Sequence, residues 1–441
     1  MDSSGALRTI DATLRAPTPV RVSFPSAGFW MAIVILTMTI REVTLWQVGA
    51  AHGRIGDMVL LLVFGLWFGG RCLIGRFAIV RNRLDLAVMI FLMVYVVSIL
   101  WADNVEAGWF RLLKLLRNGA LYILLVDYLS ANFQGRYQRI AVSILLAGLF
   151  QSLAFMVSIS REGGLVALST LLQADAIMSS NPLLNVVRKD QGAGLFMKGV
   201  ASWLPLCMFI GLSIGPWIRS RGLAIGNWAL FLAMGALTLL SATRASMVGL
   251  AVGFAIAFFF LLPRMSVKNM LVGAIIFLFP IILGTWYFGL HKLILGRFSF
   301  EVLGSDDAVS LRLEFFEYAL ARFAESPLIG AGVSSIDPDS FLVVHNVYLQ
   351  VLGELGIVGG AVFLWIMALW VWYLMAARRM TSHMRDPLIS RVAVSLLGFS
   401  GFLFTYFLVG HDLGSGEPWI VMSMASALHN SRPKVSSKST N

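Results

Sequence analysis

Two arginines and one histidine in the second half of the chain have side chains that could bind an anion or move a proton. Arg244 interrupts a long apolar stretch, where a guanidinium is costly unless it reaches the lipid headgroups or meets an anion. Arg312 lies on the apolar face of a predicted amphipathic helix, at the depth where lipid phosphates occur, and guanidinium groups bind such oxygens bidentately. Each arginine therefore predicts either a phosphate ligand or an anchor in the headgroup layer.

The third residue, His345, begins an apolar run within Val344–Gln350 and is expected at the outer end of a helix. The helix dipole there disfavours imidazolium, and a neutral ring can accept a proton from a hydroxyl group as a general base. The alternative is a histidine that only makes interfacial hydrogen bonds. The other histidines show no metal-ligand spacing, so the sequence predicts no metal site.

Four more charged residues are candidates for contact with a substrate. Arg111, Lys114 and Arg117 recur every three positions on one predicted helix, where they either extend an anion site or hold lipid headgroups. Glu354 is a carboxylate within a predicted membrane helix, and such residues are usually functional.

Two motifs nearby have simpler interpretations. Asp337 and Asp339 flank a proline, and paired aspartates can hold a metal-bound diphosphate, but this pattern is more typical of a turn. Gly356 and Gly360 form a small-xxx-small pattern that predicts close helix packing.

Membrane helices must position these residues. Of the 441 residues 58% are hydrophobic and only 13% are charged, which is too little charge to cover a water-soluble surface. The apolar residues form continuous runs of about 17–25 residues, the length of a transmembrane helix. Basic cytoplasmic connections explain the net charge of +11, so a nucleic-acid partner is not expected. Cys72 and Cys207 lie inside apolar runs, so a disulfide framework is not expected.

The predicted fold class is all-α: a polytopic membrane helix bundle of about 12 transmembrane helices, with a large periplasmic loop that contains an amphipathic helix. Residues 228–262 are expected to form a tight hairpin around Ser241–Arg244, and neither an interrupted helix nor an internal repeat is predicted. The predicted spans are residues 25–41, 57–75, 84–101, 112–130, 139–159, 194–214, 224–242, 244–262, 269–290, 346–376, 391–410 and 417–430.

Basic residues in alternate connections predict that both ends of the chain are cytoplasmic. Residues 1–24 then form a cytoplasmic tail, residues 25–430 form a single membrane-embedded domain, and residues 431–441 form a second cytoplasmic tail.

Two long connections, residues 160–193 and 291–345, fall on the outer, periplasmic side and are expected to be functional. Within the second, Ser310–Phe323 predicts an amphipathic helix on the outer membrane surface. Ser326 and Pro327 end this helix, and an irregular return towards the membrane follows at Gly330–Gly332.

Three segments of the chain carry a resemblance to a known family: Ser241–Ser246, then Arg312 with Ser326–Gly332, and then His345–Gln350 followed by Glu354–Gly359. In this order and spacing they resemble the O-antigen ligase and polymerase superfamily, which includes exopolysaccharide polymerases. The resemblance is strongest between residues 225 and 375, and Ser98–Asp103 is also similar. It implies a membrane-embedded glycosyltransferase whose donor is a glycan on undecaprenyl diphosphate.

The resemblance implies that Arg244 and Arg312 engage the diphosphate and that His345 acts on the acceptor; these are the predicted catalytic residues. Lys198 departs from the family's pattern, because Met197 and Gly199 flank it where relatives often have His or Asn. The predicted substrate-binding residues are Arg111, Lys114, Arg117, Lys198, Asn346, Tyr348 and Glu354.

The mechanistic hypothesis is an inverting transfer. His345 removes a proton from an acceptor hydroxyl, which attacks the anomeric carbon while undecaprenyl diphosphate leaves from the opposite face. Arg244 and Arg312 stabilise the charge on the departing diphosphate, so no metal or other cofactor is expected.

The favoured reaction is polymerisation of lipid-linked repeat units during exopolysaccharide synthesis in the bacterial inner membrane, with the active site on the periplasmic side. The alternatives are an O-antigen ligase that transfers the glycan to lipid A-core, and a transporter or lipid-linked-glycan flippase. A transporter is disfavoured because the singled-out charges cluster at one membrane face. Expected partners are the lipid-linked donor, a glycan acceptor, membrane lipids, a flippase and chain-length or export proteins.

Overall fold

Helices make up nearly all of the fold in the computed structural model. The model describes residues 27–39, 44–48, 51–75, 80–161, 193–215, 218, 220–240, 243–261, 286, 307–336, 346–384, 387–409 and 413–431, some of them by their backbone alone. Within these ranges the α-helices are α1 Ala27–Thr39, α2 Ile55–Ile74, α3 Arg83–Ser98, α4 Val105–Ser130, α5 Phe133–Arg161, α6 Ala193–Ile214, α7 Arg221–Leu240, α8 Arg244–Leu261, α9 Asp307–Glu325, α10 Val347–Met384, α11 Pro387–Val409 and α12 Glu417–Asn430.

Two shorter elements accompany these helices. A 3-10 turn, Ile99–Trp101, follows α3. A small antiparallel hairpin between α1 and α2 pairs β1 (Thr44–Val48) with β2 (Ala51–Arg54). The predicted all-α membrane bundle is confirmed, and this hairpin is a small addition to it that the sequence did not predict.

Six described helices are long and apolar enough to cross a membrane. Eleven of the predicted spans coincide with a described helix, whereas of the twelfth, residues 269–290, the structure describes residue 286 alone, so the full count of twelve spans stays a prediction. The predicted hairpin is confirmed, because α7 ends at Leu240 and α8 begins at Arg244. The six segments are Ile55–Ile74, Arg83–Trp101, Phe133–Val157, Arg221–Leu239, Val347–Arg379 and Leu388–Leu408.

The centre of the bundle is formed by α10 and α11, with α3, α6, α8 and α12 packed around them. Trp203, Trp370 and Trp419 are fully buried there. Helix α12 is short, and all of its residues from Glu417 to Leu428 are buried. It is therefore an internal element of the bundle.

The bundle has two ends of different charge character. At the end where α3 begins and α4 finishes, Asp127 accepts hydrogen bonds from Trp67 Nε1 (2.8 Å) and from the guanidinium groups of Arg71 (2.6 Å) and Arg81. We call this the basic end, because arginines outnumber carboxylates among its described residues. The basic end also carries Arg83, Arg136, Arg139, Arg221, Arg378 and Arg379.

The amphipathic helix predicted from residue 310 to 323 is confirmed as α9, which ends just before Ser326. Its apolar side, however, packs partly on the protein: Ala319 is buried against Ile336, with Phe315 and Leu349 nearby. Helix α9 therefore lies on α10 at the end of the bundle opposite the basic end. Its predicted position on the outer membrane surface stays a prediction.

Helix α10 departs from the sequence prediction of one continuous span with Gly356 as a helix-packing residue. That prediction is wrong, as is the expectation of no interrupted helix, because the backbone at Gly356 leaves the helical region (φ 64°, ψ −161°). The ring centroids of Tyr348 and Phe363 lie 6.0 Å apart. A straight helix would separate these positions by about 22 Å along its axis. The chain therefore bends sharply between α10a (residues 347–355) and α10b (residues 357–384).

The backbone groups freed by this bend pair with the loop that follows α9. The N–H groups of Ala331 and Gly332 donate to the carbonyls of Gly353 (2.9 Å) and Glu354 (3.0 Å). In return, Ile357 N–H donates to Pro327 O (2.8 Å), and Val358 N–H donates to Leu328 O (3.1 Å). An unpaired backbone group inside an apolar bundle costs several kcal/mol, so this pairing is what makes the bend possible.

Glycine is required at the bend for two physical reasons. The positive φ of Gly356 disfavours any L side chain, and a Cβ there would lie 2.5 Å from the carbonyl carbon of Leu328. Gly330 faces the same difficulty from the other side, because a Cβ on it would collide with the backbone of Glu354.

We expect Gly356→Ala to destabilise the protein by at least about 2 kcal/mol, through backbone strain and the clash with Leu328. The measurement is the melting temperature of the purified protein in detergent. Gly69→Ala is the matched control, because a Cβ at this helical position meets nothing within 4 Å. If the two variants melt alike, the bend does not depend on glycine.

Candidate functional site

A buried charge network lies where the bend of α10 meets α4. The Glu354 side chain is 0% exposed and forms an ion pair with Arg111, which is 22% exposed. Tyr95 Oη donates to Glu354 Oε2 at 3.4 Å. The Gln350 amide oxygen accepts from both terminal nitrogens of Arg111, at 3.1 and 3.2 Å. The opposite amide orientation makes one longer bond of 3.4 Å to Glu354 Oε1, so the first orientation is favoured.

The polar residues of α10a share one face. Asn346, Gln350 and Glu354 follow a spacing of four residues and are all buried. Removing a carboxylate and two amides from water is costly unless each is paired. Such a stripe is therefore more typical of a functional site than of a packing surface.

Three local features hold this network in place. Asn104 caps α4 by accepting a hydrogen bond from Ala107 N–H (3.0 Å), which fixes the helix that carries Arg111. Trp101 Nε1 donates to Gly330 O (3.2 Å) and joins the end of α3 to the loop that pairs with α10. Ser334 has a positive φ of 64°, which is unusual for serine, and it lies in the loop that pairs with α10.

Arg322 belongs to the same end of the bundle and was missed in the sequence. Its guanidinium forms ion pairs with Asp103 and, at 2.6 Å, with Glu325. It therefore joins α9 to the connection between α3 and α4. The available signal was a basic residue near the end of the predicted amphipathic helix; its partner Asp103 lies far away in the sequence.

The structure gives Arg117 a set of contacts within the protein. Its guanidinium donates to Asp57 Oδ1 (2.8 Å), to Gly414 O (2.6 Å) and to Asn118 Oδ1 (3.1 Å), and the side chain is 11% exposed. These contacts join α2 and α4 to the start of α12. Lys114, one turn away on α4, is exposed. Substrate binding by Lys114 or Arg117 stays a prediction.

The backbone brings Lys198 and Arg244 to the same end of two neighbouring helices. Arg244 is the first residue of α8, and Ser246 Oγ, two residues later, donates to Ala201 O on α6 at 2.9 Å. Lys198 lies three residues before Ala201. The next residue of α6, Ser202, donates to the buried carboxylate of Glu417 at 2.5 Å, a second buried acid that sequence reasoning missed.

Two other predicted substrate-binding residues have contacts that stabilise α10a. Asn346 Oδ1 accepts a hydrogen bond from Leu349 N–H (3.0 Å) and so caps the helix. Tyr348 Oη donates to Phe404 O on α11 at 3.0 Å. Their contact with a substrate stays a prediction.

For the predicted catalytic residues Arg244 and Arg312 the structure describes the backbone only, and His345 lies outside the described residues. Arg312 is in the second turn of α9. His345 comes directly before the capping residue Asn346. Asp337 and Asp339 also lie outside the described residues. In the described ranges no three His, Cys, Asp or Glu residues form a group that could hold a metal ion, and metal independence stays a prediction.

This end of the bundle combines guanidinium groups with carboxylates that fix their positions. Arg111, Arg117 and Arg322 each pair with an acid, while the backbone brings Arg244 and Lys198 to the same end. A multi-pass helix bundle with arginines held at one end has the charge and the apolar surroundings to bind an anionic headgroup.

We compared the sequence of this membrane helix bundle with known protein families. The family model described as O-antigen ligase matches residues 229–364, a stretch that includes the second half of α7, all of α8 and α9, and the bend at Gly356. The resemblance found in the sequence is confirmed over this part of the chain, which is similar to the O-antigen ligase family. No curated protein matches the sequence.

The stability of the network can be tested by removing one or both charges. We expect Arg111→Ala to destabilise the protein by about 3 kcal/mol, because it leaves the buried Glu354 carboxylate without its cation. The double variant Arg111→Gln/Glu354→Gln, which leaves no buried charge, should regain most of that loss. Melting temperatures in detergent provide the measurement. If the double variant is less stable than the single variant, the ion pair is not the reason for the loss.

Proposed function

We propose that this protein transfers a glycan from undecaprenyl diphosphate to a hydroxyl group of another sugar, and that repeated transfer polymerises oligosaccharide units. The observation that carries the proposal is the O-antigen ligase match across residues 229–364, which contain Arg244, Arg312 and His345. The buried pair of Glu354 and Arg111 adds a fixed guanidinium at the same end of the bundle as α9 and the start of α8.

In the proposed reaction, the acceptor oxygen forms a bond to the anomeric carbon with inversion. The bond from that carbon to the diphosphate oxygen breaks, and its electron pair stays with the departing undecaprenyl diphosphate. His345 takes the proton of the acceptor hydroxyl as a general base, a role that suits histidine because its side chain titrates near neutral pH. Arg244 and Arg312 stabilise the charge that grows on the diphosphate.

The second candidate is ligation of the finished glycan to lipid A-core. The specific observation in its favour is the description of the matching family, which is O-antigen ligase. The two candidates share a donor and differ only in the acceptor, so one experiment can separate them.

The transfer experiment uses purified protein, an undecaprenyl-diphosphate oligosaccharide and EDTA. We expect longer lipid-linked glycans with wild type and a loss of roughly 100-fold or more with His345→Ala, because a general base contributes about that factor. Arg312→Ala should also lose activity, through the loss of charge stabilisation. Arg71→Gln is the control, because Arg71 binds Asp127 at the basic end.

Each result of this experiment has a clear meaning. A donor that reacts only after lipid A-core is added identifies a ligase. Activity that requires a divalent metal would overturn the role given to the arginines and would return attention to Asp337 and Asp339. No transfer to either acceptor would favour the alternative function, transport of the lipid-linked glycan. The interrupted helix α10 supports that alternative, because interrupted helices are common in transporters.

We also propose that the protein lies in the bacterial inner membrane with its basic end in the cytoplasm and the candidate site on the periplasmic side. The support is the positive-inside rule, applied to the arginines of the basic end. Helices α1 and α12 would then place both ends of the chain in the cytoplasm. The proposed partners are a flippase that supplies the donor, and chain-length or export proteins.

Sidedness can be tested with a membrane-impermeant maleimide in a Cys72→Ser background, because Cys207 is buried. We expect Glu325→Cys, next to the candidate site, to react in intact cells whose outer membrane has been made permeable. Ala131→Cys, at the basic end, should react only after the inner membrane is opened. The reverse pattern would place the candidate site in the cytoplasm.

A further inference from the structure

We infer that Arg111 contacts the diphosphate group of the substrate and that Glu354 is a positioning residue, which holds Arg111 without touching the substrate. This inference deepens the proposed function and rests on it for the identity of the anion. The sequence had assigned both residues to substrate binding. The structure gives them different surroundings and therefore different roles.

Glu354 is poorly suited to meet a substrate directly. Its side chain is 0% exposed and is enclosed by Tyr95, Gln350 and Arg111. A carboxylate would also repel a diphosphate. Its position is fixed, because its own backbone carbonyl is bound by Gly332 N–H beside the bend of α10.

The side chain of Arg111 is partly exposed, whereas that of Glu354 is fully buried. The Arg111 guanidinium reaches the buried carboxylate, yet 22% of the side chain remains exposed. A guanidinium has five N–H donors in a planar fork and can bridge a carboxylate and a second anion. Because the partner carboxylate is held in place, the orientation of this fork is set before the substrate arrives, which favours bidentate binding of two oxygens of a phosphate group.

Arg117 on the same helix provides a useful contrast. It donates to acceptors on Asp57, Gly414 and Asn118, and only 11% of its side chain is exposed. Its contacts hold three helices together. Arg111 instead pairs with Glu354. This pair lies where the N-terminus of α4, the bend of α10 and the motif of Ser98–Asp103 come together.

The first test measures binding of inorganic pyrophosphate to the purified full-length protein, by thermal shift and by titration, with sulfate at equal ionic strength as the control anion. We expect pyrophosphate to raise the melting temperature of wild type. Arg111→Gln/Glu354→Gln, which removes both charges together, should bind pyrophosphate about tenfold more weakly or worse, as for the loss of a charged hydrogen bond. Arg71→Gln should bind it as wild type does.

Two single variants separate contact from positioning. Glu354→Gln keeps the charge of Arg111 but removes its fixed partner, and should weaken pyrophosphate binding by a smaller factor than the double variant. Arg111→Lys keeps the ion pair and loses the planar fork, so it should also bind more weakly. This second variant keeps the test decisive if the double variant fails to fold.

The outcomes distinguish this inference from the proposed function. If wild type does not bind pyrophosphate, or if Arg111→Lys and the double variant both bind it as wild type does, Arg111 is only structural and the inference is overturned. If pyrophosphate binding depends on Arg111 but no glycan is transferred, the anion site stands and the proposed function fails. If the folded double variant transfers glycan with an unchanged KM for the donor, the inference fails and the function stands.

Discussion

The fold depends on satisfying polar backbone groups at the bend of α10. A membrane bundle tolerates a broken helix only where protein groups replace the lost hydrogen bonds, and here the loop after α9 does so on both sides of Gly356. That requirement draws α9 onto α10 and brings Trp101 against Gly330. The irregular geometry at this end of the bundle is therefore a consequence of the bend.

The same constraint explains why a carboxylate can be buried here. Glu354 lies two residues before the bend, where its side chain can receive donors from α3 and α4. A buried ion pair of this kind adds little net stability, because desolvation offsets most of its attraction. Its value is geometric, since it gives one guanidinium a defined position in apolar surroundings.

Charge is arranged differently at the two ends of the bundle. At the basic end, Arg71 and Arg81 share the single carboxylate of Asp127, and other arginines surround them. At the opposite end, Arg111, Arg117 and Arg322 each have an acid partner. An excess of positive charge is typical of a membrane-facing cytoplasmic surface, whereas individually held arginines are typical of a site that recognises a particular anion.

The amino-acid sequence by itself determined the membrane class, the boundaries of most helices, the hairpin of α7 and α8 and the amphipathic helix α9, because apolar run length and helical period are local properties. The family resemblance, carried by Ser241–Ser246 and Ser326–Gly359, was also readable in the chain. Only the tertiary structure decided that Gly356 breaks α10 and that Glu354 pairs with Arg111, 243 positions earlier in the chain. In the sequence, a glycine that is needed for a positive φ cannot be told from a glycine that is needed for close helix packing. The partner of a buried charge depends on how the helices pack, and no local sequence pattern shows that.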